Sequence, residues 1–434
     1  DIARAQGPGD GHHLIDIGPG TLTNVFGYRD YVATTNGDID ATPVFLFHSN
    51  TLTEQDQISN ELRYAIKTGG LDLTFGGFYF KQNLAYDEGR ELRRDLPVAS
   101  QPPQSFGGGR QEHEVLGVFA NAQYEIANGL SLIAGIRWNQ ETKDAAVTYV
   151  RPRPACSVVD GTCPTSGRNP VLLNPVTGAT TENNGFTDRV RFRNVSPKLG
   201  LQYEFGDSQV YGHWSRGFRS GGFNQTGVGA EASAAAIVGV GDIFRAETAD
   251  TFEIGAKAQL GPVRLAGAAY TTLSKNSYFF VFLAQSSTQN LGNIPETRIN
   301  GFELEASAEV LPNLDINAAI GVTDSEIKAF PDPTVIGNEA PQISRYTLNL
   351  GAQYAGPISD TVDGLFRVDY RRTGKTWWEP FNTTVRQPVD LVVPGLCRTH
   401  ARSVRTAARG PACRRAPAGH RWRCRRARGG CRHG

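Results

Sequence analysis

Phe302-Glu-Leu-Glu-Ala-Ser-Ala-Glu-Val310 sets Phe302, Leu304, Ala306, Ala308 and Val310 on one side and Glu303, Glu305, Ser307 and Glu309 on the other. A repeat of two residues belongs to an extended strand, whose side chains point alternately to opposite faces. One face here is apolar throughout and the other carries three carboxylates. Such a strand divides two very different media. The pattern returns in Phe252–Leu260, where Phe252, Ile254, Ala256, Ala258 and Leu260 oppose Glu253, Gly255, Lys257 and Gln259. It returns again in Thr347–Tyr354 and in Phe366-Arg-Val-Asp-Tyr-Arg371.

Working outward, strands of this kind are expected from 21–34 to 387–393, about 14 in all, the last incomplete. Very short turns (67–71, 128–130, 206–208, 260–263, 311–314) alternate with long polar loops (84–111, 151–187, 224–245, 331–340). Short turns at one rim and long loops at the other fit an up-and-down membrane barrel. The stretches 129–150 and 262–284 far exceed the roughly 5–6 residues of an ordinary globular strand. No run approaches the 18 or so apolar residues of a spanning helix, so a membrane span would have to use strands. Backbone groups in hydrocarbon must all find partners within the protein, which requires the sheet to close. Aromatics near strand ends (Tyr28, Tyr31, Phe78, Phe80, Trp138, Trp214, Tyr278 to Phe280, Trp377, Trp378) are expected to form interfacial girdles. A soluble β-sandwich or propeller would also alternate, but with shorter strands and without this asymmetry of connections.

Composition agrees with a β protein that straddles water and lipid. Hydrophobic residues are 39% of the 434, and mean hydropathy is −0.35. The chain contains no Met and opens at Asp1, which reads as a processed or partial chain. Residues 395–434 hold twelve Arg with no Lys, Asp or Glu, leaving 32 basic against 43 acidic residues in the body. Only Cys156 and Cys163 lie outside that basic end, a pattern suited to an oxidising compartment with one local disulfide.

The segment Val210-Tyr-Gly-His-Trp-Ser-Arg-Gly-Phe-Arg-Ser-Gly-Gly-Phe-Asn224 resembles a barrel strand of TonB-dependent outer-membrane receptors. Glu247-Thr-Ala-Asp-Thr-Phe-Glu-Ile-Gly-Ala-Lys257 and Asn300-Gly-Phe-Glu-Leu-Glu305 are similar to later strands of that family. Ile58-Ser-Asn-Glu-Leu-Arg63 and Gly76-Gly-Phe-Tyr-Phe80 resemble earlier ones. Their order over 21–393 makes the resemblance specific. It implies an all-β, antiparallel up-and-down transmembrane β-barrel, with about 14 strands here of an expected 22, filled in the family by a plug. It also implies residence in the bacterial outer membrane, in contact with its lipid. The activity implied is energised uptake of a scarce ligand: a ferric siderophore foremost, or cobalamin or a glycan. The partner implied is the TonB complex, acting through an N-terminal box and plug that this chain does not show. A passive porin and a soluble β-rich carbohydrate-binding protein are the alternative functions.

The domain expectation is a loop or partial strand over 1–20, a partial receptor barrel over 21–393, and an Arg/Cys-rich tail over 394–434. Alternation stops near Val393, and Arg, Ala, Gly, Pro and Cys then dominate together, the mixture that GC-rich DNA gives out of frame. A frameshift at about 391–396 is therefore expected, and the twelve Arg do not read as a nucleic-acid site. Cys424, Cys431 and His433 match no zinc spacing. No enzyme, cofactor or metal constellation is expected. His213 and Ser215 share a strand face without a fixed acid, and Asn36, Asp38 and Asp40 read as a polar loop. Cys156 and Cys163 bracket a turn-rich stretch and are expected to staple an outer loop. Ligand contacts fall to the long loops and the inward rim. Arg216, Arg219, Asn224 and Arg298 are candidates there, with nothing in the sequence to single out a site.

Overall fold

The computed structural model describes residues 2–163, 185–225, 239–283, 288–359 and 362–400. Fifteen long strands form one antiparallel sheet, each paired with the next along the chain. Their lengths run from 12 residues (Ser208–Arg219) to 24 (Thr288–Leu311). Among the described residues the outermost strands, Ile2–Ile17 and Val389–His400, are not paired with each other.

Turn chemistry explains the tight rim. Thr68 and Leu71 are joined by Gly69-Gly70, both at positive φ (51° and 83°), the requirement of the two-residue turns that match strand twist. Asn313, at φ 68°, does the same service before Leu314. At the opposite rim the strands run on past the expected limits. Phe47–Thr68 pairs with Leu71–Leu92 over its whole length, and Leu71–Leu92 with Ser105–Ala127 as far as Arg90, so the loop expected over 84–111 shrinks to 93–104.

Three expectations change. The sheet has 15 long strands rather than about 14, because Ile2–Ile17 pairs with Gly20–Asp38. The last strand continues to His400 instead of fading at 393. Phe78 and Phe80 belong to the polar face rather than a girdle. Arg137 stands 5.7 Å over the Phe78 ring, and Phe80 meets His113 edge-on at 5.6 Å. The first two have one cause. Ladder hydrogen bonds join backbones, so pairing extends through residues whose side chains carry no alternation.

The sheet has two tiers. Near the tight turns, Leu62, Phe75, Leu201, Ile254 and Leu304 project from one face and are 46–68% exposed. Leaving such side chains in water would forgo about 1.5–3 kcal/mol each, so this face is suited to hydrocarbon. Toward the long loops, the sheet carries two small buried cores. One joins Ala145, Val147, Tyr149, Phe186 and Phe223. The other joins Phe279, Ile294, Ile327, Phe330 and Val335. Residues 401–434, which hold most of the Arg/Cys-rich tail, lie outside the described residues.

Candidate functional site

The strand Ser208–Arg219 leaves the sheet at Ser220, and Gly221 permits it. A Cβ at Gly221 would lie 2.2 Å from the Phe244 carbonyl oxygen and 2.8 Å from the Phe192 ring. The chain then doubles over the polar face, where Gly222-Phe223 pairs with Ile243-Phe244. Asn224 locks the fold-over. Its Nδ2 donates to the carbonyls of Gly241 (2.6 Å) and Leu291 (2.9 Å), and its Oδ1 accepts from the Leu291 amide (2.8 Å).

This segment meets inward side chains of four strands. Lys143 Nζ donates to Ser220 Oγ (2.9 Å) and to the Gly221 carbonyl (2.6 Å). The Tyr278 hydroxyl donates to the Ser220 carbonyl (2.7 Å). The Arg219 guanidinium stacks 3.8 Å from the centre of the Tyr278 ring and pairs with Glu247, which also accepts from Ser274 Oγ (2.9 Å). Nearby, His113 Nε2 lies 3.1 Å from Glu141 Oε2. Aromatic rings border the cluster: Phe80 beside His113, and Phe192 beside Lys143 at 6.0 Å. Imidazole, ammonium and guanidinium groups thus share one wall with π-faces, a surface suited to an anion that also carries rings.

Loops are tied around this wall. Asp87 accepts from Ser157 Oγ (2.6 Å) and from the Val158 and Val159 amides, and Arg110 donates to the Val158 and Val159 carbonyls. The same loop is closed by a Cys156–Cys163 bond. The buried Tyr86 donates its hydroxyl to the Gln225 carbonyl. Burial raises the Tyr86 phenol well above its ordinary value and keeps it a neutral donor. In the loop 330–345, burial works to raise the Glu339 carboxyl, but Arg345 at 2.9 Å and Lys375 at 3.1 Å outweigh it and hold the group below its usual range.

Of the sequence candidates, only Arg219 joins this cluster. Asn224 is 4% exposed with its amide fully engaged, so it is a structural lock rather than a rim contact. Arg216 stands on the face of Trp214 and Phe252, paired with Asp250 at 2.9 Å, and Arg298 shares the face of Phe302 and Leu304. Both therefore point away from the wall. Strand parity held this signal, since Arg216 follows Trp214 by two. His113, Glu141, Lys143 and Ser220 escaped notice because they come from distant strands, and Tyr278, expected in a girdle, turns to Ser220 and Arg219 instead. His213 stands opposite Glu253, which accepts from the Tyr211 hydroxyl at 2.8 Å.

A family model described as TonB dependent receptor-like, beta-barrel, matches residues 7–397. The ferric yersiniabactin uptake receptor FyuA of Yersinia pestis aligns with 87% of this chain and 50% of its own, at 17% identity and TM-score 0.62. The unliganded ferric citrate transporter FecA aligns with 87% of this chain and 51% of its own, at 15% identity and TM-score 0.58. The copper transporter OprC aligns with 86% and 53% respectively, at 12% identity and TM-score 0.56. The chain thus spans about half the length of the solved structures it matches, and at these identities the likeness is one of fold.

Proposed function

The chain belongs to the TonB-dependent receptor β-barrel family, and from that premise we propose that it forms the barrel wall of an outer-membrane receptor for energised uptake of a ferric siderophore. The observation that carries this reading is the wall of His113, Lys143, Arg219 and Tyr278 at the long-loop end of the polar face. Ferric chelates are commonly anionic and often aromatic, and cations beside π-faces suit both properties. FyuA and FecA, by their names, take up ferric chelates, which supports iron over cobalamin or a glycan as the cargo. The apolar tier would sit in the lipid of the outer membrane, with the tight turns at the periplasmic rim and the long loops outside. Energy would come from the TonB complex through a plug and box contributed by the parent protein. The Arg/Cys-rich tail after about 393 would be a product of frameshifting, the native closing strands lying in another frame.

The test is genetic. Deleting the parent gene should abolish growth on one ferric siderophore as sole iron source, and the intact gene should restore it only in a TonB-positive strain. A Lys143→Glu, Arg219→Glu double variant should bind that siderophore at least tenfold more weakly while the barrel still inserts. Uptake that persists without TonB would point instead to a passive pore. Reading the locus through both ends in all three forward frames checks the plug and the frameshift together.

A further inference from the structure

We propose that Asp38, Asp40 and His48 form a binding site for a first-row divalent metal ion, zinc foremost, at the tip of the hairpin joining Gly20–Asp38 to Phe47–Thr68. The donor atoms of these three side chains all lie within 4.8 Å of one another. Asp38 and His48 are the last cross-strand pair of that ladder, so the register itself sets them face to face. The sequence hid this site. Its spacing grouped Asp38 and Asp40 with Asn36, but Asn36 pairs with Asn50, and the third donor arrives from across the hairpin.

The distances fit an ion better than a direct contact. His48 Nε2 and Asp38 Oδ1 are 3.8 Å apart, too far for a hydrogen bond. Two ligands on one tetrahedral zinc ion, each bonded at about 2.0–2.2 Å, stand roughly 3.3–3.6 Å from each other. The widest separation in the group then needs a side-chain shift of about 1.2 Å by the same bond lengths. The donors are also held in place. The Phe45 ring lies 3.5 Å from the His48 ring, centre to centre. Asp40 Oδ2 accepts from the Phe47 amide at 2.7 Å, and Oδ1 from the Thr42 amide at 3.0 Å. Asp38 Oδ1 accepts from the amides of Asp40 and Ala41. Both Oδ1 atoms are taken up by two donors each, Asp40 Oδ1 accepting from the Thr42 hydroxyl as well, so it is Oδ2 of Asp38 and the second lone pair of Asp40 Oδ2 that face metal. His48 and Asp38 are partly exposed (29% and 44%), so an ion can enter from water.

The donor set selects the class of ion. One imidazole nitrogen with two carboxylate oxygens suits zinc and its neighbours, whereas calcium and magnesium favour all-oxygen shells. Three protein ligands leave a position for water. The consequence is a clamp across the mouth of the hairpin, linking the two strand ends where the ladder stops.

The full chain, refolded into lipid vesicles with its free thiols alkylated, would be titrated with zinc alone by calorimetry. Wild type should bind one more zinc ion than His48→Ala, and Asp40→Asn should weaken that extra site at least tenfold. Both variants lie at a partly exposed tip and should fold as wild type does. The tail histidines are common to all three chains and cancel in the comparison. Equal zinc stoichiometry in wild type and His48→Ala overturns the proposal. So does a site that takes calcium as tightly as zinc.

Discussion

The lower and upper tiers of this sheet are built from the same strands and stabilised in different ways. In the lower tier no side chain needs a protein core. Ile254, at 68% exposure, and Phe252, at 58%, share one face of the strand Glu247–Leu260, a face suited to hydrocarbon. Backbone ladders supply the stability there, and the exposed apolar face is suited to lipid. In the upper tier the strands rise beyond that face, and the sheet grows small cores of its own. Ile327 and Val335 are fully buried, and elsewhere in this tier Asn224, Tyr86 and Asp87 bind neighbouring segments. The difference teaches that such a wall is a membrane protein below and a small soluble protein above. The candidate site lies where the second begins.

The largest test of this contrast is in the upper core. Phe279→Ala should cost that region about 3–5 kcal/mol, seen as faster amide exchange over 277–294 and 325–337, with strand amides near the tight turns unchanged. Exchange rising equally in both tiers would show that they are one cooperative unit. Next comes the reverse experiment. Ile254→Arg should cost about 2–4 kcal/mol of stability in bilayers and leave the upper tier's exchange intact. A neutral result would place Ile254 outside the hydrocarbon.

Asn224→Ala strips partners from one amide and two carbonyls at the fold-over and should cost about 1–3 kcal/mol, read as new protease cleavage within 220–245. The Cys156–Cys163 pair should resist alkylation until reduced, and Cys156→Ser should loosen only its own loop, by about 2 kcal/mol. Ready alkylation without reductant would remove the bond from the account. The smallest effect belongs to Asp40, lowered to about 2 by its hydrogen bonds with Thr42 first and the Phe47 amide second. Its folded value is depressed, so its contribution is complete above the ordinary value of 3.8 and fades as pH falls toward 2. The hairpin tip should hold its order from neutral pH down to about 4 and loosen only below that, which carboxyl chemical shifts would follow.

Much of the lower tier was legible in the sequence. Alternation in Phe302–Val310 fixed both the strand and its faces, because lipid and water accept opposite side chains at every second residue. The glycine pair at 69–70 marked a turn because only positive φ fits there. The upper tier was far less legible. Its strands stay paired while wet on both sides, so the extension beyond residue 83 carried no periodic signal.

By itself, the sequence determined that this chain is an antiparallel β wall with one lipid-suited face, and which strands follow which, since two-residue turns force sequential neighbours to pair. Only the tertiary structure decided which charged residues meet. Lys143, Ser220 and Tyr278 come together because the chain folds back at Gly221, and His48 reaches Asp38 because a nine-residue tip closes the ladder there. Faces are a property of local periodicity, whereas a cluster depends on register and fold-over between strands far apart in the chain.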